Sequence, residues 1–220
     1  MRLRWFAITL GALLVVLTYT FPLWGPLIQE QAPDAEAELL PGLPPDLRST
    51  FAILPADQQA AYLAVAAQDP NKAISMVAAA LSPGIAVPER EQDMPEMDSP
   101  TVIASGSFSR VDAVRWGQGD VTIYQQADNS RLMRFENFSV ANGPELRVYL
   151  SVSPEPETAA DMQPDEEQTP TEIGILKGTT GNQNYELSAL IDLQAYGSVV
   201  IYSPALDMIY SVAPLFMRNP

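Results

Sequence analysis

The stretch LRVYLS at residues 146–151 alternates apolar with polar side chains, and it indicates the fold class of most of the chain. Leu146, Val148 and Leu150 occupy every second position, which is the period of a β-strand with one buried face. Runs with the same period lie at residues 120–124, 133–136 and 208–212. Short strands at this spacing predict an antiparallel β-sandwich or barrel, which we assign to residues 101–220.

A further run, VVIY at residues 199–202, is apolar on both faces and predicts a central strand. Turn signals separate the runs, and we expect Asn142-Gly143 to supply a positive φ ahead of the strand that Pro144 starts. The insertion at 153–171 is acidic and rich in proline, so we expect a solvated loop at the edge of the sheet.

The N-terminal segment predicts a single membrane crossing. Arg2 and Arg4 precede an uncharged apolar run at residues 5–28, and about 20 such residues cross a bilayer as a helix. Basic residues before the run and acidic ones after it place the body outside the cytoplasm. The alternative is a cleaved signal peptide, but an Ala-x-Ala cleavage site is missing. We therefore predict a membrane anchor or signal-anchor at residues 1–28 and an extracytoplasmic body at the cell membrane.

Three segments connect the anchor to the β domain. Residues 29–54 begin with a stretch rich in Pro, Ala and Glu and predict a stalk. Residues 55–84 predict a small helical pair, whose second helix begins with Asp69 as N-cap and Pro70 at the first helical position. Residues 85–100 form an acidic linker with proline punctuation, which is typical of a domain boundary.

Composition excludes several kinds of chemistry. The 220 residues carry a formal net charge of -15, with neither cysteine nor histidine. The excess of acidic over basic residues argues against nucleic acid as a partner. A Ser-His-Asp triad, thiol catalysis, a Cys or His zinc site and His-ligated haem are all excluded. We accordingly predict no catalytic residue, no metal site, no cofactor and no enzymatic activity.

Three stretches in order resemble a known family, the DM-thirteen (DM13) domain, a β-rich extracellular module often called an electron-transfer domain. They are LMRFENF at 132–138 followed by NGPELRVYLS at 142–151, then LKG at 176–178 with GNQNYEL at 181–187, then YGSVVIYS at 196–203. The resemblance covers about residues 105–215. It implies a β-rich fold and a place beside haem-binding DOMON-type domains in extracellular redox chains.

The resemblance also implies a redox cysteine at the end of the VVI strand, where this chain has Ser203. Nine further residues of the motifs are candidate ligand or motif residues, although architecture is the favoured explanation of the motif: Asn137, Asn142, Gly143, Tyr149, Gly181, Asn182, Asn184, Tyr185 and Tyr202. Tyr149, Tyr185 and Tyr202, together with Tyr210, suggest either a radical relay or a patch that faces a ligand, with core packing as the alternative.

Two functions follow from these observations. The first is a membrane-anchored module that binds a ligand or a protein partner in the periplasm or at the cell surface, without thiol redox chemistry. The alternative, implied by the resemblance, is a component of an extracytoplasmic electron-transfer chain.

Overall fold

The computed structural model describes residues 40–164 and 169–218. The predicted anchor at 1–28 and residues 29–39 of the predicted stalk lie outside the described residues. Within the part that is described, every helix is too short or too polar to cross a membrane.

Two antiparallel five-stranded sheets make the chain mainly β, as predicted. The first sheet has the order β10-β1-β3-β4-β7 and the second β2-β9-β8-β5-β6. The strands are β1 Thr101–Ser107, β2 Ser109–Arg110, β3 Gly117–Gln125, β4 Arg131–Val140, β5 Arg147–Ser151, β6 Thr171–Ile175, β7 Gln183–Leu187, β8 Ser198–Ser203, β9 Met208–Pro214 and β10 Phe216–Met217. The arrangement is that of a β-sandwich.

The period of two decides which side chains enter the core. In the first sheet, Val121 and Ile123 of β3 are 0% exposed, while their sequence neighbours point to the other face. Phe135 of β4 is also 0% exposed. Phe135 packs edge-on against Phe108 at 4.9 Å between ring centroids and lies 5.0 Å from Phe138. This aromatic cluster fills the space beside β4.

The central position of β8 buries both of its faces. All six of its residues are buried, because β5 and β9 flank it within the second sheet. Ser211 of β9 points towards the first sheet, since its Oγ lies 2.3 Å from where a Cβ on Gly117 would be. Ile201 pairs with Ser211 and therefore shares this inner face, whereas Val200 and Tyr202 lie on the outer face.

The acidic insertion covers that outer face, which corrects the expectation of a solvated loop. Its short 3-10 helix, Ala159–Met162, places Met162 at 7% exposure. Met162 belongs to an apolar cluster with Val200, Tyr202, Ile209 and Val212. Ala159 also packs against this cluster, so apolar contacts place the insertion on the sheet despite its charge.

Among the described residues, four helices precede the strands: α1 Pro45–Ala52, α2 Ala56–Ala66, α3 Pro70–Ala80 and α4 Glu89–Gln92. The Asp69 carboxylate caps α3 by accepting the backbone N–H of Lys72 at 3.0 Å. The helix α1 lies in the range predicted to be a stalk, and its Phe51 is 1% exposed against Tyr62 of α2. Residues 40–54 are therefore packed rather than extended.

The acidic linker does not separate two domains, because the helices and the strands belong to one unit, Leu40–Pro220. Within this linker Val87 is 2% exposed and α4 contacts β7.

Candidate functional site

Ser203 ends β8 as a fully buried residue. Its Oγ donates to the Pro144 carbonyl at 2.6 Å and accepts the Leu206 N–H at 3.3 Å. Both hydrogen-bonding capacities of the hydroxyl are thus used by backbone groups. Ser203 ties the strand end to the loop before β5, and this is a structural role.

Gly143 is required by the close approach of an aromatic ring, and not by a positive φ. The prediction that Asn142-Gly143 supplies the positive φ is wrong, because Glu145 adopts it instead, at 51°. A Cβ on Gly143 would lie 2.4 Å from Cζ of Tyr210, which is 1% exposed. The neighbouring Asn142 donates from Nδ2 to the Ala79 carbonyl at 2.8 Å and so binds the end of α3.

Replacing Gly143 by alanine is expected to lower the free energy of unfolding by about 1–3 kcal/mol, the range for an overpacked core. The new methyl group has to displace the Tyr210 ring. In a Tyr210→Leu background the same glycine replacement should cost less, since the obstructing ring is gone. Urea unfolding of the four proteins of this cycle measures the coupling. Additive costs would contradict the steric explanation.

The motif loop, residues 177–184, holds a docking segment, residues 85–93, which includes the short helix α4. Ala86 and Thr180 form a parallel bridge, and Val87 donates its N–H to the Thr180 carbonyl at 3.0 Å. Gly178 leaves room for this approach, because a Cβ there would lie 2.7 Å from the Ile85 carbonyl oxygen. The segment that precedes the β domain is therefore part of the same fold.

Amide side chains complete this contact. Asn184 donates from Nδ2 to the Asp93 carbonyl at 2.8 Å and accepts from Arg134 through Oδ1 at the same distance. Gly181, at φ 103°, faces the Gln92 side chain, whose Oε1 accepts the Asn182 N–H at 3.3 Å. The Asn182 carboxamide in turn accepts the Asn137 N–H at 2.9 Å. These asparagines satisfy backbone groups of β4 and of the docking segment.

Tyr185 lies behind the motif loop at 6% exposure. Its hydroxyl donates to Oε1 of the fully buried Gln183 at 2.7 Å, and Gln183 donates to the Gly178 carbonyl at 2.7 Å. The Lys177 ammonium lies 5.2 Å from the centre of the Tyr185 ring. Burial raises the pKa of Tyr185, so its hydroxyl stays protonated.

The tyrosine pair, Tyr149 of β5 and Tyr202 of β8, lies on the outer face of the second sheet. The rings meet edge to face, with 5.7 Å between centroids and 88° between planes. The Tyr149 hydroxyl donates to Oε2 of Glu172 at 3.0 Å. The Tyr202 hydroxyl donates to Oδ1 of Asp207. Each phenol of the pair therefore has a carboxylate as its acceptor.

The pKa values of both phenols are raised. Desolvation is the larger cause for each, and the hydrogen bond to the carboxylate adds to it. For Tyr62 of α2, burial and the nearby charge of Asp112 raise the pKa to about 12. The pair is thus neutral over the physiological pH range.

The contacts arrange the predicted residues into three groups. Asn142, Gly143 and Ser203 connect the loop before β5 to α3, Tyr210 and β8; Asn137, Gly181, Asn182, Asn184 and Tyr185 belong to the motif loop and its neighbours; Tyr149 and Tyr202 form the tyrosine pair. Across residues 40–164 and 169–218, no three His, Cys, Asp or Glu residues are placed to hold a metal ion.

The order of the motifs and the fold agree with a comparison against protein families. The family described as "Electron transfer DM13" matches residues 107–215. The protein contains a DM13 domain. No curated protein and no solved structure matches the chain.

The DM13 match includes the motif loop, Ser203 and the tyrosine pair, but the helices and the docking segment lie outside it. The docking segment therefore precedes the matched residues and packs onto motif residues of the DM13 domain. Through Asn182 and Asn184 the domain recognises residues that precede it in the sequence.

Sequence reasoning missed the acceptors of the tyrosine pair. Asp207 follows Tyr202 by five residues across the turn that Ser203-Pro204 signals, so a tight hairpin could have suggested it. Glu172 is 23 residues from Tyr149 and faces it only through the β5–β6 register. The insertion between these strands hides that register from the sequence.

We expect Ser203→Cys to fold with a loss of about 1 kcal/mol, because a thiol is a weaker donor to the Pro144 carbonyl. Since the site is fully buried, the new thiol should react with a disulfide reagent slowly in the native protein and rapidly in denaturant. Urea unfolding and thiol titration measure both effects. Rapid labelling of the native variant would contradict the buried position.

Proposed function

We propose that the protein is a membrane-anchored, extracytoplasmic component of an electron-transfer chain that works without a thiol and is not itself an enzyme. The observation that carries this proposal is the DM13 match over residues 107–215, whose family description is electron transfer. The apolar run at 5–28 behind Arg2 and Arg4 supports the membrane location, with the body outside.

The thiol-free character follows from composition and from Ser203. The chain has no cysteine, and the hydroxyl that stands at the family's cysteine position is engaged by Pro144 and Leu206. A serine hydroxyl has no counterpart to the reversible oxidation steps of a thiol. Electrons that pass through this domain therefore use another group or a bound partner.

A second candidate function, binding of a protein or small ligand without redox chemistry, is favoured by a cleft of about 600 Å³. The cleft lies between α2, the start of α3 and the turn before β9, and Lys72, Asp112, Arg115 and Glu157 are among the residues that line it. Both signs of charge are present, which suits a polar partner surface.

Reduction of ferricyanide by intact cells separates the two functions, because this one-electron acceptor does not cross the membrane. We expect deletion of the gene to slow the reduction several-fold, and the full-length gene or its Ser203→Cys variant to restore it. An unchanged rate on deletion would overturn the electron-transfer proposal and leave the binding function. Protease added to intact cells should digest the body, and protection from it would overturn the topology.

A further inference from the structure

We propose that the tyrosine pair, Tyr149 and Tyr202, is a one-electron redox site in which each phenol passes its proton to its own carboxylate. The proposal rests on the electron-transfer function and deepens it by naming the carrier. The reaction partner is a one-electron oxidant of high potential, such as an oxidised metal centre on another protein.

The first requirement is a fixed proton acceptor at each phenol. Oxidation of a phenol releases its proton, so a base within hydrogen-bond reach lowers the barrier. Asp207 accepts from Tyr202 and sits in a tight turn, with φ 53° and its N–H bound to the Pro204 carbonyl at 3.3 Å. Gln163 of the insertion also donates to Oδ1 of Asp207, at 3.4 Å. The acceptor oxygen is therefore positioned by the turn and by a second donor, Gln163.

The second acceptor is held equally well. Glu172 of β6 lies directly across from Tyr149 in the strand register and accepts its hydroxyl at 3.0 Å. Nη1 of Arg147 binds the other oxygen of Glu172 at 2.6 Å. The guanidinium keeps one carboxylate oxygen occupied, so the remaining oxygen is directed at the phenol.

Within the described part of the chain, two buried tyrosines outside the pair, Tyr185 and Tyr210, donate to no carboxylate. Tyr185 donates to the Gln183 amide, which cannot take a proton at physiological pH. The Tyr210 hydroxyl has no hydrogen-bond partner among the described residues. The Tyr185 hydroxyl is thus satisfied by an amide and the Tyr210 hydroxyl is left unpaired by these residues, whereas both members of the pair have a base.

The pair also forms a path from the surface to the interior. Tyr149 is half-buried and contacts solvent, while Tyr202 is 7% exposed beneath Met162. The edge-to-face contact at 5.7 Å joins the two rings directly. An electron can leave at Tyr149, and the hole can then pass to Tyr202, which the insertion shields from water.

The reaction balances as follows for either member. One electron leaves the phenol for the oxidised metal centre of the partner, whose charge falls by one. The phenolic O–H bond breaks, and its proton moves to the carboxylate oxygen that accepts the hydrogen bond. The products are a neutral phenoxyl radical, a neutral carboxylic acid and the reduced metal. The return of one electron and the same proton restores the starting state.

The test oxidises the full-length protein with hexachloroiridate(IV) and detects the phenoxyl radical by freeze-quench electron paramagnetic resonance. In the double variant Tyr149→Phe/Tyr202→Phe, the radical signal should fall at least about tenfold. Asp207→Asn should slow formation of the radical at Tyr202 by about 10²-fold. Tyr124→Phe, which alters a tyrosine of the first sheet, is the matched control and should leave the signal unchanged. Changing the solvent to D₂O should slow radical formation more in the wild type than in Asp207→Asn. A purely structural role of Asp207 would not produce this difference.

Thermal melting of each variant establishes that it is folded. A folded double variant that keeps the wild-type radical yield would overturn the tyrosine site, while ferricyanide reduction by cells would still support the electron-transfer function. The tyrosine site would also be overturned if the radical were lost in Tyr124→Phe and not in the double variant. If deletion of the gene leaves ferricyanide reduction unchanged, the proposed function fails, whether or not hexachloroiridate(IV) generates the radical.

Discussion

Replacing Val87 by aspartate should lower the free energy of unfolding by about 3–5 kcal/mol, the usual cost of an uncompensated buried charge. The Val87 side chain is 2% exposed and lies against Gly178 of the motif loop. An aspartate there must either become protonated or expel the docking segment from the loop. Urea unfolding of residues 40–220 measures the loss.

Ile85 provides the matched control two positions earlier in the same segment. It makes backbone hydrogen bonds with Thr179, but its side chain is 64% exposed. Ile85→Asp should therefore change the stability by no more than about 0.5 kcal/mol. Equal effects of the two replacements would show that charge in the segment, and not burial of Val87, decides its docking.

Replacing Phe135 by alanine should cost about 3–5 kcal/mol, because the large side chain leaves a cavity in a packed core. Phe135 is 0% exposed and contacts the rings of Phe108, Phe138 and Tyr185. Collapse of these rings into the cavity would place the loss at the lower end of that range.

Phe216 is the control for this effect, since it is the same residue type at 69% exposure on the edge strand β10. Phe216→Ala should change the free energy of unfolding by no more than about 0.5 kcal/mol. Chemical unfolding of both variants gives the comparison. A small effect of Phe135→Ala would mean that the core is not organised around the aromatic cluster.

The β fold could be predicted because alternation fixes both the element type and the buried face. Val121 and Ile123 are buried as their positions indicate, and β8 is central as its apolar run indicates. Arg134 departs from the pattern, since it lies on the outward face but is 5% exposed. Its guanidinium binds Glu136 and Asn184, so its aliphatic stem covers the sheet while its charge is paired.

The functional groups could be predicted less completely, because their partners come from distant parts of the chain. The motif residues were found, but the docking segment that they bind lies about 90 residues earlier, as the contact between Asn182 and Gln92 shows. The burial of Met162 was not predicted, because the residues around it in the sequence are charged and polar. Gly143 was found for the wrong reason, since a ring elsewhere in the fold, and not the local turn, requires it.

The position of the last strands sets the order in which the molecule can assemble. β9 lies inside the second sheet between β2 and β8, and β10 closes the edge of the first sheet by pairing with β1. In the N-to-C direction, the docking segment precedes its partners in the motif loop by about 90 residues. β1 pairs with the nearby β3, but its second neighbour β10 comes only at residues 216–217. Such long-range pairing makes folding slow. The second sheet therefore cannot be completed until residues 208–214 of β9 have been made.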